Sequence, residues 1–372
     1  ATGASIIART LRNLGVTVVF GVVGGPVLDI AEQAINIGIR FIGFRNEQAA
    51  SYAATAYGYL TGRPGVCLVV GGPGVLHAIA GVGNASANNF PLLLLGGSIE
   101  THLATKGAFQ EMDSITLLSP HTKISPRPSN VDMLPSTITE VYRTAFYGRP
   151  GPAFIDLPVD LINDPIDPED SDDVIDIPKI SKSPISAAEA GRVSQVVALL
   201  RTAQAPLIVI GKWDSASRTQ LQPGKHIMHP MHKPRPVRRL VRRLLQLRGD
   251  SAFGFSGMGV ETMARLGMDV LIFVINNSGI YFGDSDSAAD FEAKREKTAK
   301  GEPGLRGWAL GCETRYEKLA EACGGIGYFV RSPEDLEKAT VEGFKAKVPV
   351  IVNVIIQSGK VEESVSAHSL QF

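Results

Sequence analysis

Cysteine is scarce in this chain: Cys67, Cys312 and Cys323 are the only three in 372 residues. They form no CxxC pair and are too few for a disulfide framework, so a reducing compartment is the simpler expectation. An excess of one charge is lacking too. Lys and Arg number 37 against 37 Asp and Glu, a formal net charge of zero, which points to no nucleic-acid partner and no membrane partner. No apolar run approaches the roughly 20 residues that a spanning helix needs. The first residues read straight into an amphipathic helix carrying Ile6, Ile7, Leu11 and Leu14 rather than into a signal peptide. The final Ser-Leu-Gln-Phe is not a Ser-Lys-Leu type peroxisomal ending. A cytoplasmic protein is the expectation. Neither GxGxxG nor GxxxxGK[ST] occurs, so a dinucleotide or P-loop reading lacks its motif.

What is present reads as an α/β protein of two or three domains. In residues 1 to 165, apolar runs of strand length (Val16 to Phe20, Phe41 to Arg45, Val66 to Val70, Leu92 to Leu95, Ala153 to Leu157) alternate with Ala-rich helical stretches such as Ala49 to Leu60 and Leu76 to Ser86. That regularity predicts a parallel sheet buried on both faces. The strands run into glycine at Gly21, Gly24-Gly25-Pro26, Gly71-Gly72-Pro73-Gly74 and Gly96-Gly97-Ser98. Such loops at the carboxyl ends of parallel strands let backbone approach a ligand closely. Glu47 stands where a strand gives way to a small-residue helix; it reads either as a helix-start acid favoured by the dipole or as a proton donor. Gly107-Ala108-Phe109-Gln110-Glu111 sits in a loop after the fourth strand.

The middle of the chain changes character. Asp164 to Pro184 is rich in Asp, Pro and Ser and reads as a solvated linker. Helix Ala187 to Arg201 and strand Pro206 to Ile210 open a further α/β unit that does not develop. From Arg218 to Arg248 there is no acid, and His226, His229 and His232 are interleaved with prolines. Pro230 interrupts any helix that would align them on a metal, and the basic run reads as a solvated or disordered connection.

The densest chemistry lies in residues 249 to 283. Gly249, Ser251, Ala252 and Gly254 are small enough for backbone N–H groups to reach phosphate oxygens, with a helix start behind them. Asp250 offers a hard, charged oxygen, Asn277 an amide oxygen, and the Ser278-Gly279 turn a backbone carbonyl, a set suited to Mg²⁺. Roughly two dozen residues separate Ser251 from Asn276, enough for one helix and one strand that return the chain to the same sheet edge. Residues 283 to 310 read as a loop with a short helix covering that turn. Helices at Tyr316 to Cys323 and Glu334 to Lys347, and strands at Gly327 to Val330 and Val350 to Ile356, complete a second α/β domain.

With Gly249-Asp250-Ser251 and Asn276-Asn277 at this spacing, the chain resembles the thiamine-diphosphate-dependent enzymes. Among them it is most similar to the 2-hydroxyacyl-CoA lyase and oxalyl-CoA decarboxylase group, on Gly249 to Met258, Arg45-Asn46-Glu47-Gln48-Ala49-Ala50, Gly62 to Val70, Gly72-Pro73-Gly74, Phe109-Gln110-Glu111 and Tyr147 to Gly151. The resemblance implies thiamine diphosphate and Mg²⁺ as cofactors. It gives Asp250, Asn277 and Gly279 to the metal, and Glu47, Pro73, Gln110, Gly249, Asp250, Ser251, Ala252, Asn277, Gly279, Ile280 and Tyr281 to the cofactor. Glu47 becomes the catalytic residue, sharing a proton with the aminopyrimidine ring. The implied reaction cleaves a 2-hydroxyacyl-CoA to formyl-CoA and an aldehyde, with oxalyl-CoA decarboxylation as the alternative. An acyl-CoA substrate and a homodimer or homotetramer follow from the same resemblance, which also leaves a peroxisomal location open.

Against a full member of that group, the middle domain and the start of the third collapse into the basic stretch ending at Arg248, and Gly259 replaces the usual glutamate. The implied organisation is a pyrimidine-binding-type domain at 1–165, a linker and middle-domain remnant at 166–248, and a truncated diphosphate-binding domain at 249–372. A truncated, inactive member that only oligomerises or binds is the reading from another class.

Overall fold

The computed structural model describes residues 2–165, 188–204, 244–280 and 283–358. The chain divides into two units, Ala1–Ile227 and Met228–Phe372. The strand at Pro206 to Ile210, the three histidines, most of the 166–248 segment, Tyr281 and the C-terminal tetrapeptide lie outside the described residues. Among the described residues no helix is long and apolar enough to cross a membrane.

The first unit is a parallel five-stranded sheet in the order β2-β1-β3-β4-β5. Its strands are β1 Val18–Val22, β2 Arg40–Gly43, β3 Gly65–Val69, β4 Leu92–Ser98 and β5 Pro152–Pro158. Every residue of β3, β4 and β5 is buried, which is why these runs do not alternate polar with apolar. In register, Val22 lies beside Val69, Val69 beside Gly96 and Gly96 beside Asp156. The glycine loops therefore emerge along one carboxyl edge, as the strand endings predict.

Helix α1, Gly3–Asn13, is capped by Thr2 and buries Ile6, Ile7 and Leu11 completely, and α2, Leu28–Asn36, follows β1. Two further helices hold the candidate site. Helix α3, Glu47–Thr61, starts where the Asn46 side chain accepts from the Ala49 N–H at 3.3 Å and ends at Gly62 in the left-handed conformation, φ 68°. Helix α4, Pro73–Asn88, begins on Pro73. The two meet through small residues, Ala50, Ser51, Ala54 and Thr55 on one and Ala78, Gly81 and Ala85 on the other. Thr55 Oγ1 donates to the Ser51 carbonyl at 2.8 Å and lies 3.3 Å from that of Gly81, while a Cβ on Gly81 would sit 2.3 Å from Ser51 Oγ. Gly81→Ala is accordingly expected to force α3 and α4 apart and to destabilise the protein by about 1–3 kcal/mol, the range for overpacked cores. Urea unfolding of the variant measures it, and an unchanged midpoint would contradict this close packing.

The second unit is a parallel four-stranded sheet in the order β6-β7-β9-β8. Its strands are β6 Leu244–Gly249, β7 Val270–Asn276, β8 Ile326–Val330 and β9 Val350–Ile355. Two expectations are corrected. The basic connection does not run to Arg248, because Leu244 to Gly249 pair with Val270 to Ile275. Arginines on both sides hide this short leucine run in the sequence. Nor does a single helix follow Gly249: the segment makes short helices at Asp250–Gly254 and Gly259–Arg265, broken over Phe255 to Met258. Three glycines within six residues make a continuous helix unfavourable there. The segment after β7 does hold a helix, Ala288–Ala299, capped by the Ser287 hydroxyl. Its far end packs on the turn after β7, where Ile280 N–H donates to the Trp308 carbonyl at 2.8 Å and Leu310 N–H to that of Ser278 at 2.9 Å.

Candidate functional site

Each unit carries candidate residues at the carboxyl edge of its own sheet. In the first, Glu47 is the first residue of α3 and only 14% of its side chain is exposed. Its Oε2 lies 3.1 Å from His77 Nδ1, one turn into α4. His77 was not singled out in the sequence; a lone histidine in an Ala- and Gly-rich helix four residues after Pro73 was the available signal. Behind Glu47 the buried Cys67 thiol is pushed up by burial and then by the Glu47 charge, so it stays protonated.

Pro73 and Gln110 come together through Gly72. Gly72 has φ 55°, and a Cβ there would stand 2.7 Å from the Gln110 carbonyl oxygen, so only glycine fits this approach. Gln110 is itself left-handed at φ 64° and belongs to a loop organised by Glu111. The Glu111 carboxylate accepts N–H groups from Thr105, from Gly107 at 2.6 Å and from Ala108 at 3.1 Å. Those bonds, Thr105 first, hold its carboxyl below the usual range. Phe109 is left 88% exposed at the tip. A pocket of about 290 Å³ opens beside it, lined by Pro26, Gly71, Ser98, Glu100, Phe109 and Gln110 among others.

Beneath the pocket Asp156 is fully buried; its Oδ2 accepts the Ser98 hydroxyl at 3.0 Å and the Arg127 guanidinium. Burial still pushes its carboxyl up, against the pull of Arg127 and Ser98. An acid within the apolar run Ala153 to Leu157 was its sequence signal. Ser98 ties this buried pair to the pocket wall.

In the second unit β6 ends at Gly249 and Asp250 opens the short helix. Asp250 is 2% exposed; Oδ1 accepts the Ser251 N–H at 2.8 Å, and Oδ2 is buried with no hydrogen-bond partner. Burial pushes this carboxyl up, and the backbone N–H groups of Ser251, Gly279 and Ser278 pull it back. The turn after β7 therefore lies against Asp250, although some two dozen residues intervene in sequence. A Cβ on Gly249 or Gly254 would meet no atom, so there is open space beside that backbone.

The paired asparagines have separate jobs. Asn276 is fully buried: its Nδ2 donates to the Thr314 carbonyl at 3.0 Å and lies 3.2 Å from Asn353 Oδ1, and its Oδ1 accepts the Ser278 N–H at 3.1 Å. Asn353 in β9 in turn donates to Glu317 Oε2 at 2.8 Å, and Arg315 closes on Glu317 from outside. This buried network pins the turn, holding Ser278 at φ 60°. Asn277 instead accepts the Gly279 N–H at 3.2 Å on Oδ1, while Ser358 Oγ donates to its carbonyl at 3.1 Å. Neither Asn353 nor Glu317 was picked out in the sequence, though an asparagine inside Val350 to Ile356 was a visible anomaly.

One feature fits a small hard cation: a buried carboxylate oxygen, Asp250 Oδ2, without a hydrogen-bond partner. Among the described residues no three His, Cys, Asp or Glu side chains gather to make an alternative site. Ile280 continues the turn; Ser251 and Ala252 lie in the first turn of the helix expected behind them, which is only five residues long.

Residues 1–117 match the thiamine pyrophosphate enzyme N-terminal TPP binding domain, and residues 237–354 match the C-terminal TPP binding domain of the same enzymes. Human 2-hydroxyacyl-CoA lyase 1 is 44% identical over 211 residues, which are 57% of this chain and 36% of that protein. Arabidopsis thaliana 2-hydroxyacyl-CoA lyase is 41% identical, covering 59% and 38%. Oxalyl-CoA decarboxylase of Escherichia coli K12 is 34% identical, covering 59% and 39%. The chain thus spans well under half the length of these relatives. A solved thiamine diphosphate-dependent 4-hydroxybenzoylformate decarboxylase from Rhodococcus jostii RHA1 superposes with a TM-score of 0.70 at 14% identity, covering 96% of this chain and 99% of that one. At that identity the likeness speaks for the fold alone.

Proposed function

The chain belongs to the thiamine pyrophosphate enzymes, and from that premise we propose that it is a Mg²⁺-dependent carbon–carbon lyase. It would cleave a 2-hydroxyacyl-CoA to formyl-CoA and an aldehyde. The observation that carries the metal is Asp250 Oδ2, a buried carboxylate oxygen with no hydrogen-bond partner. Asp250, Asn277 and the Gly279 carbonyl would hold Mg²⁺. The open backbone at Gly249, with the N–H groups of Ser251 and Ala252, would take the diphosphate. Ile280, Pro73 and Gln110 would line the cofactor, and so would Tyr281.

When bound, thiamine diphosphate supplies an acidic thiazolium carbon and an electron sink for the broken C–C bond. Glu47 would hold the proton that the aminopyrimidine ring needs. The pocket bounded by Pro26, Phe109 and Gln110 has both apolar walls and hydrogen-bonding groups, as an acyl substrate requires. Decarboxylation of oxalyl-CoA is the nearest variant, favoured by the likeness to the bacterial decarboxylase. A homodimer or homotetramer, pairing first and second units from different copies, completes the reading.

One observation favours an inactive member that only binds or oligomerises. The chain leaves Leu244, Leu245 and Leu247 of β6 45%, 51% and 68% exposed, in the strand that leads to Asp250. Calorimetry with thiamine diphosphate, with and without Mg²⁺, followed by assay of formyl-CoA from both acyl-CoA substrates, separates the two. Mg²⁺-dependent binding with product is expected. Binding without product leaves the second reading, and no binding sinks the first.

A further inference from the structure

We propose that His77 relays protons between solvent and the Glu47 carboxyl. The inference rests on the placement of Glu47 at the cofactor's pyrimidine ring. A carboxyl that gives up and retakes a proton in each turnover needs a route to water, and Glu47 is largely covered, with 14% of its side chain exposed. His77 is not: 61% of its side chain is exposed while its Nδ1 stands 3.1 Å from Glu47 Oε2. Imidazole is the side chain whose two nitrogens can take a proton on one side and release one on the other near neutral pH.

The distance is built into the fold. Glu47 begins α3 and His77 lies one turn into α4, and those helices are locked by the Ser51, Thr55 and Gly81 contact. A second titratable group near Glu47, the Cys67 thiol, is fully buried and kept protonated, so it offers neither a base nor a path to water. In one direction Glu47 Oε2 passes its proton to Nδ1 while the opposite ring nitrogen releases one to water. The reverse transfer restores the carboxyl proton, and no net charge remains on the pair. His77 thus acts through Glu47.

The test uses the full chain with Mg²⁺ and thiamine diphosphate, comparing the parent with His77→Ala and His77→Gln. Calorimetry gives the cofactor affinity, and quenched NMR gives the rate of deuterium exchange at the thiazolium carbon of the saturated protein. Affinity is expected to stay within about twofold and exchange to slow on the order of tenfold or more in both variants, as for loss of a proton-transfer group. Added imidazole should restore exchange in His77→Ala. Parent-like exchange in either variant would overturn the relay; in His77→Gln alone it would leave His77 a hydrogen-bonding support. Failure of the parent to bind thiamine diphosphate would overturn the cofactor reading and the relay with it, whereas binding with unaltered exchange in the variants overturns the relay alone.

Discussion

Asp250→Asn is expected to stabilise the protein in the absence of ligands while abolishing Mg²⁺-dependent binding of thiamine diphosphate. The opposite signs come from one feature, a carboxylate 2% exposed with Oδ2 unpaired. Without a cation, that charge is held in a site that solvates it poorly, and burial pushes its pKa up. An amide removes the charge but still lacks a partner at one atom, so the gain is on the order of 1 kcal/mol. The pH dependence follows. Because the folded pKa is raised, the protonated carboxyl favours the folded state fully below the unfolded value of about 4, and that contribution fades as pH rises through the folded value. The variant should match the parent below about pH 4 and exceed it increasingly above. Thermal unfolding across pH checks this, and a variant less stable than the parent at pH 7 would show the carboxylate to be satisfied by the protein itself. With Mg²⁺ and cofactor the order should reverse, since only the parent gains from binding.

Glu47→Gln is expected to lower turnover by on the order of 10²–10⁴, the range for loss of a general acid or base, with cofactor affinity changed only a few-fold. Glutamine keeps the length and can still accept from His77 Nδ1, so α3 and α4 stay packed. Losing a carboxylate from the first turn of α3 should reduce stability by about 0.3–1 kcal/mol. Steady-state kinetics beside calorimetry and thermal unfolding distinguish the roles. A turnover within tenfold of the parent would leave Glu47 as a helix-start acid and nothing more.

Much of the architecture was open to sequence reasoning because its determinants are local. Continuous apolar runs predict strands buried on both faces, and Leu92 to Leu95 and Ala153 to Leu157 are such strands. Glycine after a strand marks the edge where loops turn, and Gly71-Gly72 does so with φ 55° at Gly72. Asp250 and Asn277 could be named together because a two-part motif of characteristic spacing carries them, and the turn after β7 does lie against Asp250. Local signals also mislead: the leucines of β6 disappeared among arginines, and the glycines after Asp250 divide what spacing alone makes one helix.

By itself, then, the sequence determined which segments of the first unit become strands, which edge bears the loops, and that an acid stands at each of two such edges, at Glu47 and Asp250. Only the tertiary structure decided what surrounds those acids. It set His77 on Glu47 across 30 positions, placed Asn353 beside Asn276 across 77, and left one oxygen of Asp250 buried without a partner. Periodicity reports which face of an element is buried. It does not report which atoms meet once helices and strands pack, and the strength of a carboxylate depends on those meetings and on the water they exclude.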